Sequence, residues 1–266
     1  MNHPQIAAFA RLAKENTPPV RKLEGQETLL GRTMHDLAYD AVHDEICVSS
    51  PFAQAILTFR GAAEGHERPL RVIQGPHTQI VSERGLDKVA IDPVHNEIFI
   101  ATSENKILVF DREANGDAAP IRILGGPDTG FSGRPTIRVE PERNLLLVTG
   151  EGGLGTMLIF DRTASGNAKP RARLRGPAGN QFELYKGLVI THAGDSIYAW
   201  RLDDTGDNVR PLLRIRAPVG AQAETTTQRG VALDPLHKEV IIGTAAGNQV
   251  MTFAVPELFD RAAAAN

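Results

Sequence analysis

Two histidines of this chain, His35 and His192, fall outside any repeating pattern, and each has a carboxylate near it in sequence: Asp36 beside the first, Asp195 shortly after the second. A histidine oriented by a carboxylate can act as a general base near neutral pH, and a histidine with acidic neighbours can begin a divalent-metal site. Around them lies a set of charges that packing alone does not demand: Arg32, Arg84, Asp87, Lys88, Arg134 and Arg229, with Glu104 and Glu151. Arginine forks of this kind suit a polar or anionic ligand through charge-assisted hydrogen bonds. The set stops short of a catalytic constellation. Adjacent residues of an extended strand point to opposite faces, so His35–Asp36 is adjacency and not a dyad. His192, Glu151 and Asp195 form the alternative metal set. No Gly-x-Ser-x-Gly elbow, His-Glu-x-x-His pair or phosphate-binding loop accompanies them.

Three other features have structural explanations. His43, His95 and His237 occupy one repeated position, Asp-x-x-His, with Asp40, Asp92 and Asp234. Repeat-equivalent positions lie on different sheets and cannot share one ion; the expected role is local, with the Asp accepting backbone N–H groups in a turn. Gly150–Gly155 matches G-x-G-x-x-G, but a dinucleotide site needs a helix next, and Thr156–Phe160 reads as a strand. The single cysteine, Cys47, lies in the apolar run ICV, where a thiol behaves as a small buried hydrophobe and no intrachain disulfide is available.

What must position these residues is a repeat of about fifty residues. FRGAAEGHERPLRVIQGP, FDREANGDAAPIRILGGP, FDRTASGNAKPRARLRGP and WRLDDTGDNVRPLLRIRAP begin at Phe59, Phe110, Phe160 and Trp200, with a weaker copy at Phe9. LAYDAVHDEICVSS, VAIDPVHNEIFIAT and VALDPLHKEVIIGT alternate with them from Leu37, Val89 and Val231. Each period holds four short β-rich runs separated by turn residues, here termed A to D. One such sheet cannot bury both faces, so neighbours must cover it, with Phe59, Phe110, Phe160 and Trp200 between sheets. Gly65, Gly116, Gly166 and Gly206 supply positive φ in the C–D turn. The expectation is an all-β, five-bladed β-propeller in one domain, residues 1–266, closed by N- and C-terminal strands; six blades is the alternative. In the fourth A–B unit Lys186-Gly187 replaces the longer turn. Val250–Val255 is the expected C strand of the closing blade, with the first D strand completing it. Residues 1–16 read as a partly helical extension or an edge strand, and 256–266 as a helical tail.

The pattern D-P-x-H-x-E-I-x-[IV]-A followed by I-x-V-F-x-R-x-A-x-G-x-x-x-P-x-R-x-I-x-G-P resembles the broad NHL/YVTN-type propeller repeats of bacteria, over nearly the whole chain. That resemblance implies a propeller whose D–A and B–C loops surround the mouth of a central channel, the usual ligand face. The D–A loops carry Arg32, His35, Asp36, Arg84, Asp87, Lys88, Arg134 and Arg229; the B–C loops carry Glu104, Glu151, His192 (aligned with Thr102 of the second copy) and Asp195. Members of the group include protein-binding modules, lactone hydrolases and lyases.

The chain has 266 residues, 41% hydrophobic and 23% charged, with a formal net charge of −3, enough apolar material for a core and no basic block of the kind nucleic-acid binding requires. No apolar run reaches the length that spans a bilayer. The N-terminus lacks a charged region followed by an apolar stretch. The compartment stays open: cytoplasmic if Met1 is the native start, periplasmic or secreted if a leader has been removed. The functional expectation is a module binding a small polar or anionic ligand or a protein at an arginine-rich mouth, with no cofactor and with self-association through the N-terminal segment. The alternative is a hydrolase or lyase at the same mouth, using His35 and His192.

Overall fold

The computed structural model describes residues 4–32, 34, 36–81, 88–131, 135–149, 155–176, 181–218, 229–244 and 249–264. The fold is all-β, with five blades in a propeller arrangement and one α-helix among the described residues. Two short strands come first, β1 (Gln5–Ala8) and β2 (Arg21–Glu24), paired with each other. Four complete sheets follow in simple meander order. They are β3–β6 (Leu37–Asp40, Glu45–Ser50, Ala55–Arg60, Arg71–Gln74) and β7–β10 (Lys88–Asp92, Glu97–Ala101, Lys106–Asp111, Arg122–Gly125). Next are β11–β14 (Ile137–Glu140, Leu145–Thr149, Thr156–Asp161, Ala172–Arg175) and β15–β18 (Phe182–Tyr185, Leu188–Ala193, Ser196–Arg201, Leu213–Arg216). The last sheet has three strands, β19 (Arg229–Asp234), β20 (Glu239–Thr244) and β21 (Gln249–Ala254), before helix α1 (Pro256–Ala264).

The chain ends resolve the open assignments. Residues 5–8 are an edge strand and not a helix. β21 takes the C position beside β20, as expected for Val250–Val255. β2 is laddered to β1, and among the described residues the β19–β21 sheet has three strands. Ile6–Leu23 in β1–β2 repeats the pairing of Ile107 with Leu124 in β9–β10, so the N-terminal D strand brings its own C strand.

By its contacts the chain falls into two compact units, Met1–Gly126 with Ser165–Ala168, and Pro127–Ala164 with Lys169–Asn266. In the first, Phe59 packs with Leu23, Val48 and Leu57, and Phe110 with Cys47, Ile56, Ile73 and Ile98, so each aromatic is buried against the preceding D strand. In the second, Trp200 packs with Leu147, Ile159 and Leu174. These residues recur at one register because apolar surface between neighbouring sheets has no other cover.

The C–D turn does more than reverse the chain. Gly65, Gly116 and Gly166 form parallel bridges to Leu23, Ile73 and Leu124 in the first unit, and Gly206 to Leu174 in the second. Each turn thus caps the exposed edge of the preceding D strand, one way to blunt a sheet edge. A second repeated device follows the D strand. Thr28, Thr78 and Thr129 end short 3₁₀ turns and are fully buried. The Thr78 hydroxyl donates to the Gly75 carbonyl (2.7 Å) and accepts the Ile80 N–H (3.2 Å).

Candidate functional site

The expected mouth residues divide between the two units. In the first, Arg32 is exposed, and Asp36 and Lys88 are half-buried. The Asp36 carboxylate accepts the backbone N–H of Val89 on the next sheet at 3.3 Å, while its carbonyl accepts the Ser49 N–H at 3.2 Å. This acidic group therefore ties two strands together. Glu104 is exposed and paired with Lys106 at 2.8 Å. His35, Arg84, Asp87, Arg134 and Glu151 lie outside the described residues.

In the second unit, His192 is only 4% exposed, and its Nε2 lies 2.8 Å from the Ala217 carbonyl, to which it donates. It stands opposite Ile197 in the register that Ala101 holds opposite Ile107. His192 therefore replaces Ala101, not Thr102; Ala193 is the residue at the position of Thr102, and the short turn of this blade shifted the sequence alignment by one. Asp195 accepts the Ser196 hydroxyl at 2.8 Å, and its carbonyl accepts the Ala217 N–H at 2.7 Å. The Ser196 hydrogen bond, opposed by desolvation and aided by Arg216 and Arg214, holds the Asp195 carboxyl below its ordinary value. His192 and Asp195 thus converge on one backbone residue, Ala217, where the chain leaves β18. Arg229 opens β19, opposite Thr244.

The repeated Asp-x-x-His residues have the local role expected of them. Asp40 is fully buried; it accepts the N–H groups of Val42 (2.9 Å) and His43 (3.0 Å), and its second oxygen meets His43 Nδ1 at 2.7 Å. Asp92–His95 and Asp234–His237 repeat the pairing at 2.8 and 2.7 Å. Among the described residues no three His, Cys, Asp or Glu side chains converge as metal ligands would. Burial pushes the Cys47 thiol up to about 12, which leaves no thiolate nucleophile at neutral pH. Gly155 leads into strand β13, not into a helix that could hold a pyrophosphate.

Sequence reasoning missed a charged cluster between the first two complete sheets. Glu45 accepts Arg71 at 2.5 Å and Arg112 at 2.8 Å, all three largely buried, and Arg112 also donates to Asn96. Glu97 repeats the arrangement with a bidentate Arg122, both bonds 2.7 Å. The signal was present: Glu opens strand B and Arg opens strand D in the same two copies. Two open grooves are lined by Gln26, Glu27, Leu29 and Arg68 in the first unit and by Arg171, Arg173, Thr205 and Asp207 in the second; neither contains a mouth candidate.

No family profile and no curated protein sequence matches the chain. Solved structures resemble it widely, 1137 chains in all, a breadth that marks a common fold and not a function. One belongs to "Crystal Structure of Mitotic Checkpoint Complex", with a TM-score of 0.53 at 12% identity, over 84% of this chain and 61% of that one. At that identity the likeness is one of fold alone.

Proposed function

We propose that the chain is a binding module, with the D–A loop side, represented here by Arg32, Asp36 and Lys88, engaging a protein partner. One observation carries the choice of binding over turnover. His192, the described member of the candidate base pair, is buried and spends its Nε2 on the Ala217 carbonyl. A general base must be within reach of the proton it removes, and a ring this buried is closed to a substrate. The solved structure that the chain resembles in fold is of a complex, in keeping with a module of this kind. Arg32, exposed on this side, is placed for charge-assisted contacts with a partner's carboxylates.

The test compares proteins co-purifying with the wild type and with an Arg32→Glu/Lys88→Glu variant in the native host, quantified by mass spectrometry. A partner enriched by the wild type and lost from the variant is the expected result. Retention of every partner overturns the loop-side assignment. Turnover of a lactone or ester panel that His192→Ala abolishes overturns binding in favour of catalysis.

A further inference from the structure

Every complete D strand but the last is capped by the next C–D turn, and always through the same two backbone groups. Gly65 N–H donates to the Lys22 carbonyl and accepts Glu24 N–H on its own carbonyl, at 2.7 and 2.9 Å. Gly116 does this with Val72 and Gln74, Gly166 with Ile123 and Gly125, and Gly206 with Arg173 and Arg175, at the same distances. The central D residue beneath each cap is buried: Leu23 2%, Ile73 1%, Leu124 0% and Leu174 0% exposed.

β18 is the exception. Its equivalent groups are the Arg214 carbonyl and the Arg216 N–H. The next sheet has no C–D turn, because β21 runs through Val255 into α1. Among the described residues nothing bonds to these two groups. Ile215, the residue equivalent to Leu174, is half-buried. An uncapped edge strand offers a ladder for another chain.

The side chains on this edge define what it accepts. The outward D-strand positions are Lys22 and Glu24, Val72 and Gln74, and Ile123 and Gly125 in the first unit, but Arg173 with Arg175 and Arg214 with Arg216 in the second. Arg214 and Arg216 are 62% and 81% exposed. Arg214 Nε donates to the Ser196 hydroxyl at 3.1 Å, and the two guanidiniums stand 3.6 and 3.5 Å from Asp195, longer than a good charge-assisted hydrogen bond, so at such exposure their other N–H groups are open to an incoming carboxylate. The Arg214 guanidinium also lies 5.5 Å over the Tyr198 ring, which orients it at the edge. The capped arginine strand supplies a precedent within the chain: β14 is covered by Gly206-Asp207, and the Asp207 carboxylate lies 3.6 Å from Arg175.

We propose that the outer edge of β18, Leu213–Arg216, docks an extended acidic segment of a partner protein. That segment adds to the sheet through the Arg214 carbonyl and the Arg216 N–H, and sets carboxylates two residues apart against the two guanidiniums. The match is geometric, since alternate residues of a strand share a face. The same charges repel basic strands, so the edge selects its partner. This edge uses none of the loop-side residues assigned above, and either assignment stands if the other fails.

The probe is a fluorescein-labelled peptide alternating glutamate with threonine, with a glutamine–threonine peptide as its neutral counterpart, read by anisotropy at low ionic strength. The acidic peptide is expected to bind and the neutral one not. Arg214→Glu/Arg216→Glu should weaken binding about tenfold or more through loss of charge-assisted contacts. Arg173→Glu/Arg175→Glu makes the same charge change on the capped strand β14 and should leave binding within about twofold. Bound peptide should slow hydrogen exchange at the Arg216 amide. Equal weakening by both β14 and β18 variants overturns the proposal in favour of net charge. Protection on another edge, tighter binding of an oligonucleotide, or self-association dissolved by Arg214→Glu/Arg216→Glu assigns a different occupant and overturns it as well.

Discussion

At the scale of single residues, the ionisable groups of this chain are used mainly to hold turns and neighbouring strands. Asp40 is the clearest case. Burial by itself would raise its pKa, but the N–H groups of His43 and Val42 and the His43 ring outweigh burial and hold it below the ordinary 3.8. A carboxyl depressed in the folded state contributes stability that is fully present above its unfolded value and lost as pH falls through the folded one. The urea midpoint should therefore drop on acidification below about pH 4, and Asp40→Asn should start lower and fall less steeply over the same interval. Parallel acid profiles for the two proteins would contradict this account. This role was legible in the sequence because Asp-x-x-His is a local motif: partners three residues apart meet within one turn. His192 was not legible in the same way, since its partner, Ala217, is brought to it by the return of β18.

At the scale of elements, two glycines of one repeat show different reasons for being glycine. Gly116 has φ of 68°, and an added Cβ would meet nothing within 4 Å, so only backbone strain opposes a side chain there. Gly75 has φ of 141°, and its Cβ would lie 2.4 Å from the Asp117 carboxylate, which also holds His77. Gly116→Ala should cost about 1–2 kcal/mol. Gly75→Ala should cost more, because the capping turn itself must shift; chemical denaturation of the two variants checks the order. The positive-φ turn could be read from Asn-Gly and Ser-Gly in the sequence. Its capping of the preceding D strand could not, since that contact joins residues about forty positions apart and leaves no local pattern. The repeated buried threonines were visible as G-x-x-T at one register, yet their hydroxyl bonds are a product of the 3₁₀ turn.

At the scale of the whole chain, repeated sheets depend on their neighbours, and the Glu45 cluster makes that dependence electrostatic as well as apolar. Glu45→Ala would leave Arg71 and Arg112 with only the exposed Glu113 carboxylate as acidic partner, so the cost should fall below the about 3–5 kcal/mol typical when a buried pair loses one member outright. Hydrogen exchange should then accelerate together across β3–β10 and not in β4–β6 alone, because each sheet's apolar face is covered by the next. The sequence by itself determined the all-β class, the five A–B units, the aromatic seams and the local Asp–His turns, because alternation, turn chemistry and a fixed period are written in neighbouring residues. Only the tertiary structure decided that β2 pairs with β1, that His192 serves the Ala217 carbonyl, that glutamate and two arginines share a buried site, and that among the described residues no turn caps β18 as one caps the other complete D strands. Those outcomes depend on which distant segments fill the same space, and hydrogen-bond and burial demands are settled only when those segments meet.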